Sequence, residues 1–292
     1  MNVLKSLKIN VTKTINMKLE DRMKEFYENR TRIYLPRRSD IIIRLDGRGF
    51  SKFTKRFKKP FDEDFINMMN ETAKYVCENI SGCKIAYVQS DEISLLITDY
   101  DTPETDCFFN NNLQKLCSIS ASLATAKFNQ LWINSQEDKV NIKLAQFDSR
   151  VFTIPYKPDL VNYFIWRQTD CIRNSKQMAA QSYFSHKQLN GLDTDKQIEL
   201  LKTEKGVDWN QYPLGQQQGR IIIKVREVIN NPYVETNPNP FNEVPKMFLS
   251  LPVVRNKWHI KDAYVFKENK AHFYTLIPSN EDYSPCKSPN NG

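Results

Sequence analysis

Apolar positions along the chain switch between a spacing of three to four and a spacing of two, and the switches mark its elements. Residues 20–34 carry dense mixed charge, with Phe26, Tyr27 and Ile33 spaced for one helical face, and Pro36-Arg37-Arg38 stops that helix. A strand follows from Asp40 to Leu45 and ends in Asp46-Gly47-Arg48-Gly49, where glycines permit close backbone approach. From Asp62, a candidate N-cap, Phe65, Met68, Met69, Ala73 and Val76 recur at helical spacing, so a second helix runs to about Asn79.

Lys84 to Val88 and Ile93 to Thr98 are β-favouring runs, and the polar tetrad Gln89-Ser90-Asp91-Glu92 sits where a hairpin turn belongs. The pattern then predicts helices over 108–132, 160–184 and 195–205. The segment FDSRVFTIP forms a short strand between the first two of these, and Arg220 to Val228 forms another. The Asn/Pro-rich stretch 230–242 reads as a loop or linker, and no internal repeat is visible.

Strand, helix, hairpin, helix, strand, helix predicts an α+β fold, an antiparallel sheet covered by helices, because the hairpin forces antiparallel neighbours. The chain divides into a basic extension at 1–16, one domain at 17–229 and a C-terminal extension at 230–292.

With 292 residues, 40% of them hydrophobic, the chain can bury a core without staples. Its longest apolar runs fall far short of the roughly 20 residues that cross a bilayer, so no membrane partner is expected. The six cysteines form no C-x-x-C pair and read as reduced structural thiols. A formal charge of +8 favours polyanionic partners without requiring them. Residues 1–19 hold four lysines and no acid, with Val3, Leu4, Leu7, Val11 and Ile15 on one side of a helical wheel. Two readings fit, a mitochondrial presequence or a basic tail on a cytoplasmic protein; the absence of arginine before Arg22 weighs against the first.

Asp46 at a strand end and Asp91-Glu92 at a hairpin are acids that an antiparallel sheet can bring side by side. Magnesium takes such hard oxygen ligands together with substrate phosphates, which points to phosphoryl transfer. On spacing alone, a turn aspartate before glycine with a solvated hairpin tip is the favoured reading. Tyr163, Phe164 and Trp166 read as core, since aromatics at helical spacing are core more often than base-stacking platforms.

IIIRLDGRGFSKFTKRFKKPFDED followed by AYVQSDEISLL resembles the two signature segments of the tRNA(His) guanylyltransferase family. The likeness continues through QKLCSISASLATAKF, FDSRVF and YFIWRQTDCIRNS and spans roughly residues 17 to 225. It implies a palm-like (ferredoxin-like) catalytic domain adding nucleotides in the 3′-to-5′ direction at tRNA 5′ ends. ATP or GTP would first activate the RNA 5′ phosphate, and the 3′ hydroxyl of an incoming NTP would then displace the activating group. By resemblance, Asp46 and Asp91 hold two Mg²⁺ ions, the Gly47 carbonyl completes one, and Glu92 supports the site. Arg48, Gly49, Phe50, Ser51 and Ser90 would contact nucleotide, and Lys59 and Asp62 occupy the family's K-P-x-D positions around a triphosphate.

Lys115, Ser118 and Ser122 share a helix face, as the family's triphosphate-facing Lys and hydroxyls do, although a bland polar stripe also fits the serines. Arg167, Asp170 and Asn174 also share a face, a candidate RNA or second-nucleotide contact. There, tRNA(His)-specific members have His-Ile-Asn-Asn after Asp-Cys, where this chain has Ile172-Arg173-Asn174-Ser175. That departure favours the bacterial-type branch, which repairs shortened tRNAs, over guanosine addition to tRNA(His). A homotetramer is implied by the same resemblance. The reading from another class, a non-catalytic RNA-binding protein, rests on positive charge alone.

Overall fold

A computed structural model describes residues 17–138, 140–229 and 253–277; the predicted N-terminal extension at 1–16 and the Asn/Pro stretch at 230–242 lie outside them. In chain order the main elements are α1 (Leu19–Phe26), β1 (Ile41–Gly47), α2 (Glu63–Asn79), β2 (Cys83–Gln89), β3 (Glu92–Ile97), α3 (Leu113–Ser135), β4 (Phe147–Thr153), α4 (Lys157–Gln181), α5 (Thr194–Lys205), β5 (Arg220–Ile229) and β6 (Val253–Asp262). Among the described residues no helix is long and apolar enough to cross a membrane.

The six strands form one antiparallel sheet in the order β4-β1-β3-β2-β5-β6. Its first four strands with α2 and α3 make the β-α-β-β-α-β arrangement of ferredoxin-like folds. Both faces are covered. Ile41, Ile43, Leu45, Leu95 and Ile222 pack under α2 and α3, whereas Ile42, Ile85, Tyr87, Leu96 and Ile221 pack under α4. Burial on two sides explains why these strands read as continuous apolar runs rather than as alternating ones. The described part of the stretch set apart as a C-terminal extension adds β6, paired residue for residue with β5 from Arg220–Asp262 to Ile229–Val253. Ala263, Phe266 and Phe273 then bury against α4.

Local chemistry sets the boundaries. Asp62 caps α2 by accepting from the Phe65 N–H at 2.9 Å, and Asp193 caps α5 through the Lys196 N–H. The helix expected over 108–132 begins later: Phe109, Asn110 and Asn111 have positive φ, and Asn112 caps Leu113 onward. The helix expected over 20–34 ends at Phe26 and buries no residue. Tyr27 and Ile33 are exposed, because nothing among the described residues packs on the face that their spacing suggested.

Where β1 ends, the chain is fixed from beneath. Phe50 is buried among the rings of Phe53, Phe65, Phe128 and Phe147, worth about 1.5–3 kcal/mol by burial alone. A Cβ on Gly47 would stand 2.3 Å from that ring, so glycine is what lets Phe50 tuck under the strand end. Gly49 follows with φ +68, a left-handed conformation that side chains resist.

Candidate active site

The hairpin tightens to a two-residue turn, Ser90-Asp91, with Ser90 at φ 45. Asp46 lies directly opposite Glu92 on β3 and opposite Asp148 on β4, and Glu92 lies opposite Gln89 on β2. Directly opposed residues share a face, so Asp148, Asp46, Glu92 and Gln89 form one row across the end of the sheet, on the side covered by α4. Asp91 adjoins the row, its carbonyl accepting from the Gly47 N–H at 3.2 Å.

The acids divide into two kinds. Buried Glu92 is held by buried Arg167 in a two-pronged pair, Nε to Oε1 at 2.7 Å and Nη2 to Oε2 at 2.8 Å. Gln89 and Ser94 donate to the same carboxylate at 3.3 Å each. Both Glu92 oxygens are thus engaged, and Arg167, a candidate RNA or second-nucleotide contact on sequence, also anchors the hairpin. Asp46 and Asp91 have no such partner: the guanidinium closest to Asp46, Arg150, stands 3.7 Å away.

Electrostatics follow from that difference. Burial, then the Glu92 and Asp148 carboxylates, raise the Asp46 carboxyl above its ordinary value. Burial pushes Asp91 up to about 6, with Asp46 and Glu92 adding repulsion against the pull of its own N–H and the Ser90 hydroxyl. Such groups want a cation. Among the described residues no three His, Cys, Asp or Glu side chains converge to hold one alone. Two carboxylates completed by water and phosphate oxygens suit magnesium, which binds in that way.

A pH dependence follows. Because the folded carboxyl sits above the ordinary 3.8, its contribution to stability is complete below 3.8 and is lost as pH rises through about 6. Conversely, a divalent cation must displace that proton below about 6, so its affinity should fall roughly ten-fold per pH unit there and level off above. Calorimetric magnesium titrations from pH 5 to 8 measure the slope; a flat profile removes Asp91 from the ligand set.

Beside the row opens a cleft of about 450 Å³ between the α2 entrance and α4. It gathers Asp46, Lys59, Asp62, Ser90, Asp91 and Glu92 with Arg167, Asp170 and Asn174. Asp62 also accepts from the Lys58 N–H at 2.9 Å, so one carboxylate caps α2 and holds the loop that carries Lys59.

Other candidates from the sequence are not in that lining. The Phe50 ring is core, which leaves only its backbone for a ligand. Gly47 ends β1, Gly49 stands in the turn after it and exposed Ser51 in the one-turn helix Phe50–Phe53, while the Arg48 N–H and guanidinium bond Gln146 at 2.8 and 3.2 Å. Lys115 borders a separate recess with Arg32, Tyr34 and Asn112, its Nζ 5.1 Å from the Phe109 ring centre, and Ser118 lies one turn further along. The part of α3 level with the end of β1 is Thr125, in mid-helix, whose hydroxyl accepts from the Phe147 N–H opposite Gly47. Lys115 is about ten residues away, roughly 15 Å along the helix. Sharing a helix face does not specify which end of the sheet that face meets.

Asp148 and Arg150 were not foreseen; their signal is the polar alternation in FDSRVF, which puts both on the face of Asp46. Trp166 departs from the core reading: Tyr163 and Phe164 are buried, but Trp166 is 55% exposed.

The family model described as Thg1, tRNAHis guanylyltransferase, matches residues 20–155. A bacterial tRNA(His) guanylyltransferase-like protein solved in complex with ATP is 39% identical, with a TM-score of 0.73 over 89% of this chain and 99% of that one. One solved in complex with GTP is 36% identical, with a TM-score of 0.67 over 88% and 98% of the two chains. The tRNA(His) guanylyltransferase of Schizosaccharomyces pombe is 31% identical over 196 residues, 63% of this chain and 73% of that protein.

Proposed function

Because the chain belongs to the tRNAHis guanylyltransferase family and is a nucleotidyltransferase, we propose that it extends tRNA 5′ ends in the 3′-to-5′ direction to repair shortened ends. The observation that carries the repair reading is Ile172-Arg173-Asn174-Ser175, where tRNA(His)-specific members resemble one another in having His-Ile-Asn-Asn. On α4 Arg173 pairs with Asp170, and the Asn174 amide donates to the same carboxylate at 3.4 Å. Arg173 and Asn174 are both exposed and lean on Asp170.

Asp46 and Asp91, with the Gly47 carbonyl, are the groups to hold two magnesium ions, which when bound would neutralise charge on the reacting phosphates. Lys59 and Ser90 bind triphosphate oxygens in the cleft, and Asp62 keeps the Lys59 loop in place. Glu92, locked by Arg167, holds the hairpin so that Asp91 stays beside Asp46. ATP or GTP activates the RNA 5′ phosphate with loss of pyrophosphate; attack by the incoming 3′ hydroxyl then expels the nucleoside monophosphate. The complementary acceptor strand selects each added base.

Incubation with 5′-truncated, 5′-phosphorylated tRNAs of several species, magnesium and NTPs should lengthen each one, by complementary nucleotides only. Guanosine added to tRNA(His) alone would replace repair with tRNA(His) guanylylation, and no product on any tRNA would sink both.

A further inference from the structure

Across Arg167 from the nucleotide cleft lies a second surface at the same end of the sheet. Trp166 projects from α4 with 55% of its area exposed and is not idle side-chain clutter: the Arg167 Cζ stands 4.5 Å from its ring centre. Arg167 is pinned by Glu92, so one side of the indole is fixed, and Tyr163 meets it edge-on at 6.0 Å. Tyr163 is itself held by the Ser94 hydroxyl at 2.8 Å. Aromatic area this ordered and yet this open is unusual away from a contact surface.

Through Tyr163 the ring adjoins two like charges: Arg44 acts electrostatically on the Tyr163 hydroxyl, and Phe152, two residues from Arg150, meets the Tyr163 ring at 5.7 Å. Arg44 on β1 is directly opposite Arg150 on β4, an arrangement that destabilises a sheet unless an anion intervenes. The Arg44 Nε is buried without a hydrogen-bond partner. Arg150 reaches Asp46 and Asp148 only at 3.7 and 3.8 Å, beyond hydrogen-bond length. An unbonded guanidinium donor, a second guanidinium in loose contact and an exposed indole are the components with which proteins grip a single-stranded nucleic acid, phosphate on arginine and base on ring.

We propose that Trp166, Arg44 and Arg150 form the platform for the RNA 5′ terminus: the terminal base stacks on Trp166 and its phosphate meets the two arginines beside Asp46. The proposal rests on the RNA-extending function above. A free nucleotide is the lesser fit, because neither Trp166 nor Arg150 borders the cleft that Lys59 and Asp62 line. The Arg167–Glu92 pair is then a wall with nucleotide on one side and RNA on the other.

The test uses the full-length protein and a truncated tRNA carrying 2-aminopurine at its 5′ end, without NTPs, so that binding is read apart from extension. Wild-type protein should quench the fluorophore, Trp166→Phe should retain most of the quench, and Trp166→Leu should lose it. Affinity for that RNA should weaken about ten-fold or more in Trp166→Leu, the loss of one stacked base. Arg150→Ala should weaken RNA binding and flatten its salt dependence, and ATP and GTP affinities should not change in either variant. Unchanged quenching and RNA affinity in Trp166→Leu, in a protein whose wild type extends RNA, would overturn the platform and leave the function standing. Weakened ATP or GTP binding would reassign Trp166 to the nucleotide, and dissociation of an oligomer by Trp166→Leu, seen by sedimentation, would reassign it to a second copy of the chain.

Discussion

Asp91→Ala should abolish nucleotide addition, lowering turnover by about a thousand-fold or more, since a shared cation ligand carries several kcal/mol of charge stabilisation. The fold should survive. Asp91 occupies a two-residue turn and fills no core volume, and its carboxyl is held in an unfavourable setting by burial and by Asp46. Removing it should therefore leave the cation-free melting temperature unchanged or raised, while the magnesium-induced rise in melting temperature disappears. RNA affinity should change little, because it rests on lysine and arginine contacts to phosphates. Extension assays and melting curves with and without magnesium measure all of this; undiminished turnover in Asp91→Ala would refute the assignment of the site.

The second large effect belongs to Arg167→Met. Glu92 would be left buried without its countercharge, a change that typically costs about 3–5 kcal/mol. Gln89 and Ser94 would remain as donors but bring no charge. Combining Arg167→Met with Glu92→Gln should recover much of the stability, because the charge then goes with its partner. Activity should not recover equally, since the hairpin loses the tie that sets Asp91 beside Asp46. Urea denaturation of the single and double variants gives the coupling energy, and purely additive effects would show that the pair does not act as a unit.

Much of this was legible in the chain. The order of strands and helices, the hairpin and Asp46, Asp91 and Glu92 at the ends of strands follow from periodicity and turn chemistry, whereas the palm-like arrangement was implied only by the family resemblance. Less visible was anything that depends on which flank of a helix meets which part of the sheet. Arg167, Asp170 and Asn174 share a face, but the pairing of Arg167 with a glutamate 75 positions earlier is a tertiary fact. The same blindness put Trp166 with Tyr163 and Phe164, although three neighbours on one helix divide between core and surface at a sheet corner. Lys115 and Ser118 matched a motif in spacing and yet lie towards the start of α3. β6 escaped because VVRNKWHIKD mixes apolar and charged residues as an edge strand with one wet face does, and no hairpin turn announces it.

The tight Ser90-Asp91 turn has a consequence for how this chain can vary. Every side chain on β2 and β3 takes its direction from the count of residues through that turn, because strands repeat every two residues. One inserted residue that slipped β3 along β1 would send Glu92 to the opposite face, away from Arg167, and would turn Leu95 and Ile97 from the core under α2 and α3 to the face under α4 while Leu96 goes the other way. Length at this point is therefore as constrained as identity: the turn can tolerate exchange of its letters far better than a change in their number, and loops grafted to retune this chain belong elsewhere.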